Sequence, residues 1–310
     1  MDKINPLELV GSKTLDYDLY DNKGQVLYHR GEELTPGFLM MLNYRDVYKD
    51  ENPYKLPDKN PDLYSPEERD PNPVITQETS DYLIERSQTI LTELAEGDSP
   101  DPEICTETSD VILDIVNDKI EKIDCINQLR VYDEYTFSHT VNVCSLSTAL
   151  AIKCGLNPNQ VKDLALGALL HDIGKMKISK YILNKPGKLE PNEFEIIKKH
   201  TTYGYEILTK EMKIHDEIAQ IAYQHQEKYS GKGYPRGLKA NEIDLYAQIC
   251  AIADVYDALT SKRVYKDAIP SHEALRIMIK DGSFSFNPSL LYKFVYIANY
   301  KNSNSLVTND

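Results

Sequence analysis

The apolar run Leu164-Ala-Leu-Gly-Ala-Leu-Leu170 leads straight into His171-Asp172-Ile173-Gly174-Lys175. A buried helix ending this way delivers an imidazole and a carboxylate, both metal-ligating groups, to a place with little access to water. Adjacent His and Asp are common by chance, so the weight lies in their company. Only seven histidines occur in the chain, and His139, His200 and His225 recur around this pair at helical positions, with Asp254 downstream.

The spacing turns these side chains inward. His139, Val143, Leu146 and Leu150 fall on one helical face, and Val161, Leu164, Ala165 and Ala168 on another that leads to His171 and Asp172. Phe194, Ile197 and His200 share a face, as do Ile218, Ile221, Ala222 and His225, and Cys250 and Asp254 are one turn apart. Singly, each histidine reads as a hydrogen-bonded core residue. Together, four imidazoles and two carboxylates in apolar surroundings need compensation, which cations provide. The mixed donors suit Fe, Mn or Zn. Two such ions about 3.5–4 Å apart, bridged by one carboxylate, clamp a phosphodiester and generate hydroxide near neutral pH. Asp172 is the natural bridge.

The rest of the chain sets bounds. Its 310 residues suffice for one large domain or two modest ones. No apolar stretch reaches the ~20 residues of a membrane span, and the N-terminus lacks a signal-peptide pattern. The five cysteines form no CxxC pair and read as reduced core thiols of a cytoplasmic protein. A net charge of −14 argues against DNA binding. It is unevenly spread: residues 1–130 carry 13 Lys and Arg against 29 Asp and Glu, and residues 131–310 carry 22 against 20. The half with the His/Asp set is thus better able to accept an anion, although solvation of the N-terminal part explains the asymmetry equally well.

Residues 1–50 read as a small β-rich module. Tyr17–Tyr20 and Gln25–Tyr28 flank the turn Asp21-Asn22-Lys23-Gly24, and Thr35 with Pro36 opens a short helix through Leu42. Residues 51–76, rich in Pro and Asp, form a linker. A helical lead-in over 77–130 follows, with Leu83, Ile90, Leu91 and Leu94 on one helix and Val111, Ile112, Ile115 and Val116 on the next.

Four motifs then come in order: His171-Asp-Ile-Gly-Lys175, Lys185-Pro-Gly-Lys-Leu189, His225 with Gly231-Lys-Gly-Tyr-Pro235, and Ala253-Asp-Val-Tyr-Asp-Ala-Leu259. Together they resemble HD-GYP domains, helical members of the HD phosphohydrolase superfamily that hydrolyse the bacterial second messenger cyclic di-GMP. The resemblance implies a mainly α fold, an HD-type all-helical domain over 131–301 behind the β-rich module. It also implies a cofactor of two divalent metal ions, Fe or Mn. One site would use His139, His171, Asp172 and Asp254. The second would use Asp172, His200 and His225 with a further histidine directly after His225.

That last position is Gln226, and Ser230 stands where an Asp precedes the next motif's glycine. Exchanging imidazole for carboxamide is expected to weaken the second site about ten- to hundredfold. Glu227 is the alternative donor. Tyr135 stands where some members have a Glu for a third metal, so no third site is expected. The resemblance makes Asp172 and Lys175 catalytic, and makes Lys175, Tyr234, Arg263 and Lys266 contacts to the substrate. The lesser alternative makes Arg263 and Lys266 surface residues of the Thr260–Tyr265 turn.

The expected activity is opening of cyclic di-GMP to linear pGpG and then GMP. Alternatives are a degenerate domain that senses the dinucleotide without cleaving it, and hydrolysis of another cyclic dinucleotide such as cyclic GMP-AMP. A diguanylate cyclase or other signalling protein, and a second copy in a homodimer, are the partner classes left open for the N-terminal module.

Overall fold

The helices that frame the His/Asp set begin where the sequence supplies caps. Asn157 accepts from the amide of Gln160, whose side chain returns the bond to Asn157, and Pro158 takes the first helical position without losing a needed donor. Asp101 accepts the amide of Glu103 and is likewise followed by a proline, Pro102, and Asp244 caps a third helix through the amide of Tyr246. A computed structural model describes residues 2–4, 9, 14–15, 19–20, 26–28, 47–49, 73–96, 100–122, 126–131, 135–183, 185, 187–261 and 268–298. The chain divides into two compact units, within Met1–Arg69 and Asp70–Asn304.

The first unit holds four short strands, β1 (Asp2–Ile4), β2 (Leu19–Tyr20), β3 (Val26–Tyr28) and β4 (Val47–Lys49), in one antiparallel sheet of order β1-β4-β2-β3. Leu9, Leu15, Leu19, Tyr28 and Val47 form its core. The expected strand pair is there as β2 and β3. The outer strand β1 carries no alternation by which a sequence could announce it. The expected turn at 21–24, the helix from Thr35 to Leu42 and most of the linker lie outside the described residues.

The second unit is helical: α1 (Gln77–Glu96), α2 (Pro102–Lys119), α3 (Tyr135–Cys154), α4 (Pro158–Leu169), α5 (Lys180–Leu183), α6 (Pro191–Lys198), α7 (His200–Glu206), α8 (Asp216–Gln224), α9 (Leu245–Thr260), α10 (Ser271–Ser285) and α11 (Pro288–Ala298). A 3₁₀ turn over Ile173–Lys177 follows α4. Helix α3 packs on both α4 and α9, and Leu146, Leu150, Leu164, Ala168 and Ile252 are buried between them. Each leucine so buried contributes about 1.5–3 kcal/mol of transfer free energy, and these three helices fix the floor of the site.

Cys105, Cys144 and Cys250 are free and buried, and burial pushes the Cys105 and Cys144 thiols up to about 12. They behave as core thiols, as expected. Cys125 is outside the described residues. Among the described residues, no helix is long and apolar enough to cross a membrane.

Gly174 sets the approach of the 3₁₀ turn to α7. A Cβ there would overlap the His200 carbonyl oxygen and the Gly204 amide. Only glycine lets the turn carrying Asp172 and Lys175 lie directly against the start of α7, which carries His200.

Candidate metal centre

Three of the four histidines are held by one device. His171, His200 and His225 each stand just past the end of a helix, α4, α6 or α8, where the last carbonyls run short of backbone donors. Each turns Nδ1 back onto such a carbonyl three residues earlier: His171 to Ala168 O at 2.7 Å, His200 to Ile197 O at 2.7 Å, His225 to Ala222 O at 3.1 Å. A carbonyl only accepts, so Nδ1 carries the proton and Nε2 presents a lone pair to the interior.

His139, inside α3, is held differently. Its Nδ1 lies 2.7 Å from Asp257 Oδ2 on α9. Asp257 is itself fixed by Arg130 at 2.8 Å, Asn142 at 3.0 Å and Ser261 at 3.0 Å, and neither it nor Arg130 is more than 1% exposed. A buried carboxylate behind a histidine raises its basicity and locks its ring.

The inward nitrogens converge on Asp172. His171 Nε2 is 3.3 Å and His139 Nε2 3.9 Å from Asp172 Oδ2, while His200 Nε2 is 3.5 Å and His225 Nε2 3.6 Å from Oδ1. One carboxylate thus turns an oxygen toward each pair of histidines. Asp254 Oδ1 adds a contact to His139 Nε2 at 3.3 Å. One donor atom each from His139, His171 and Asp254 lie within 4.8 Å of one another, and the same holds for His171, Asp172 and His225. All six residues expected as ligands are therefore brought together.

The electrostatics ask for positive charge. Burial alone would lower His139, but hydrogen bonds and charges from Asp254 and Asp257 outweigh it and raise it to about 9. Burial works against the charge on Asp172, yet Lys175 and His171 hold its carboxyl well below the usual range. Asp254 is held low against burial by His139. His200 falls to about 4, chiefly through burial, so it is neutral.

The donor set fits a divalent cation. His171 Nε2 and Asp172 Oδ1 are buried without a hydrogen-bond partner, an expensive arrangement unless something positive meets them. His200 Nε2 and His225 Nε2 lie 3.3 Å apart. With both protons on Nδ1, two lone pairs face each other, a repulsion that a cation between them removes.

Around this centre the substrate candidates are only partly placed. Lys175 pairs with Asp172 Oδ2 at very short range and is 41% exposed, open to an incoming anion. The Tyr234 ring stands edge-on to His200 at 6.2 Å, and its hydroxyl donates to Gln226 at 3.1 Å. Burial, then the charges of Asp172 and Asp254, push the Tyr234 phenol up, so it keeps its proton. Arg263 and Lys266 lie outside the described residues.

Two expectations are corrected. Phe194 does not share an inward face with His200. It is 45% exposed, packs edge-on to Tyr234 at 6.2 Å, and has Lys198 Nζ 5.4 Å above its ring. The reason is that α6 ends at Lys198 and α7 begins at His200, so the two residues do not ride one continuous helix. Glu227 is not a spare donor either. It is buried, and its two oxygens accept the amides of Arg236 at 2.7 Å and Leu238 at 3.1 Å. Sequence reasoning missed Asp257, although it stands one turn after Asp254 on α9. It also missed Lys198, one turn after Phe194.

A family model described as HD domain matches residues 111–290. A cyclic di-GMP phosphodiesterase of Pseudomonas aeruginosa is 40% identical over 168 residues, 54% of this chain and 40% of that protein. One of Thermotoga maritima is 40% identical over 177 residues, 56% of this chain and 48% of that protein. A 3′3′-cGAMP-specific phosphodiesterase of Vibrio cholerae is 39% identical over 153 residues, 49% and 35% of the two chains. The chain thus spans less than half the length of these relatives. Among solved structures, a protein of Bdellovibrio bacteriovorus described as an HDG"Y"P protein superposes with a TM-score of 0.57 at 23% identity, over 94% of this chain and 97% of that one, a likeness of fold. By the family match over more than half its length, set on a helical core that gathers His171 and Asp172 with three further histidines, the chain belongs to the HD-domain family.

Proposed function

We propose that this chain is a metal-dependent phosphodiesterase that opens cyclic di-GMP to linear pGpG and then GMP, using two ions of Fe or Mn. The observation that carries the reading is Asp172, with one oxygen 3.3 Å from His171 Nε2 and the other 3.5 Å from His200 Nε2. One group would comprise His139, His171, Asp172 and Asp254, the other Asp172, His200 and His225. When bound, divalent cations supply Lewis acidity and water of lowered pKa. The relatives named as cyclic-dinucleotide phosphodiesterases support the substrate class.

The chain's own residues divide the remaining work. Lys175, released from Asp172 as an anion arrives, meets the charge that grows on the phosphoryl oxygens as water adds to phosphorus and the bond to the 3′ oxygen breaks. Phe194 and Tyr234 offer aromatic surface beside His200 for a nucleobase, with Lys198 over both rings. Arg263 and Lys266 are proposed phosphate contacts. The test is chromatography of cyclic di-GMP and 3′3′-cGAMP incubated with iron- or manganese-loaded protein. Conversion of cyclic di-GMP to pGpG is expected, and intact dinucleotide under both metals refutes the reading.

A second reading, binding without turnover, is favoured by Gln226, whose amide is engaged by Asp254 and Tyr234. It predicts dinucleotide binding by calorimetry with no product, and turnover gained in Q226H.

A further inference from the structure

Gln226 stands where the HD-GYP resemblance calls for a metal-binding histidine, and both ends of its amide point to other tasks. Its Nε2 donates to Asp254 Oδ2 at 3.1 Å, and its Oε1 accepts from the Tyr234 hydroxyl at 3.1 Å. Asp254 fixes which way the amide lies, because the reverse orientation sets two oxygens against each other. The backbone repeats the tie. Tyr234 N donates to Gln226 O at 3.2 Å, over Gly233, where a Cβ would come within 2.6 Å of that same oxygen.

We infer that Gln226 is a positioning residue, a crossbrace between Asp254 on α9 and Tyr234 in the 231–235 loop. It engages one oxygen of Asp254 so that the other, 3.3 Å from His139 Nε2, faces the first donor group. It engages the Tyr234 hydroxyl so that the substrate loop is tied to that same group. The second group then has Asp172, His200 and His225 as its protein donors, and the two metal positions are unequal: a tighter one hydrogen-bonded to the loop through Gln226, and a weaker one that the loop meets only as the Tyr234 ring against His200. This rests on the proposed role of Asp254 as a metal ligand.

The test is a manganese titration of the full metal-free chain against a chromophoric chelator, with folding checked by circular dichroism. Q226L keeps the approximate size and removes both hydrogen bonds; Q226M serves the same purpose should Q226L not fold. Either is expected to lose about tenfold in affinity at the tighter position, the scale of lost support behind a metal ligand. Y234F leaves Gln226 on Asp254 and is expected to keep manganese affinity while raising KM for the dinucleotide. D254A is expected to lose more affinity than Q226L. Wild-type affinity in folded Q226L or Q226M, with affinity lost in D254A, overturns the crossbrace and leaves the metal reading standing. Wild-type affinity in D254A overturns both.

Discussion

Asp257 Oδ2 lies 2.7 Å from His139 Nδ1, and this contact selects the nitrogen that His139 turns toward Asp172 and Asp254. The same carboxylate neutralises Arg130, 127 positions earlier in the chain and fully buried with it. The orientation of an inward imidazole and the electrostatics of the core meet in one side chain.

Two substitutions at this position separate those roles. D257A removes the buried carboxylate that pairs with Arg130 and is expected to cost about 3–5 kcal/mol in chemical denaturation. D257N retains the shape but weakens the hold on His139. Its expected signature is a roughly ten- to hundredfold loss of manganese affinity in a chain that still folds. Equal metal affinity in D257N and wild type would show that His139 needs no support.

Metal removal should register in stability as well as activity. Chelation leaves the Asp172 and Asp254 carboxylates and the inward imidazoles without a shared counter-charge. Manganese at a hundred times its dissociation constant adds about 2.7 kcal/mol, an upward shift of roughly 5–10 °C in a unit of this size. Differential scanning fluorimetry with and without chelator reads it, and an unchanged midpoint argues against a cation in the core.

G174A drives a methyl group into the His200 carbonyl and the Gly204 amide. An overpacking cost of about 1–3 kcal/mol is expected, together with weaker metal binding at the His200 and His225 group, because the turn holding Asp172 must move away from α7. Denaturation and metal titration on one sample test both.

F194A addresses the substrate side. With the exposed ring gone, KM for the cyclic dinucleotide should rise about five- to a hundredfold, the worth of one stacked base. Hydrolysis of bis(p-nitrophenyl) phosphate, whose single rings offer less stacking surface than a purine, should fall less. A parallel loss on both substrates would assign Phe194 to the fold.

The legible parts of the sequence were those in which residue type and local spacing suffice. Apolar residues at helical spacing, such as Val161, Leu164, Ala165 and Ala168, announce helices, and His171-Asp172 with His139, His200, His225 and Asp254 announce the donor set. Phe194 was misplaced because the break between α6 and α7 leaves no mark in apolar spacing. Asp257 lay in plain view one turn past Asp254, but its partner Arg130 is reached only through the tertiary fold. Glu227 next to Gln226 looked available as a donor, and only the loop that returns the amides of Arg236 and Leu238 to its carboxylate shows otherwise.

The most direct test of a centre organised around Asp172 is manganese stoichiometry combined with electron paramagnetic resonance, on wild type and D172A. Two ions per wild-type chain with an exchange-coupled signal, and loss of that coupling with weakened binding of both in D172A, is the predicted result. Two ions retained at wild-type affinity in D172A, or uncoupled six-line spectra in the saturated wild type, would contradict it.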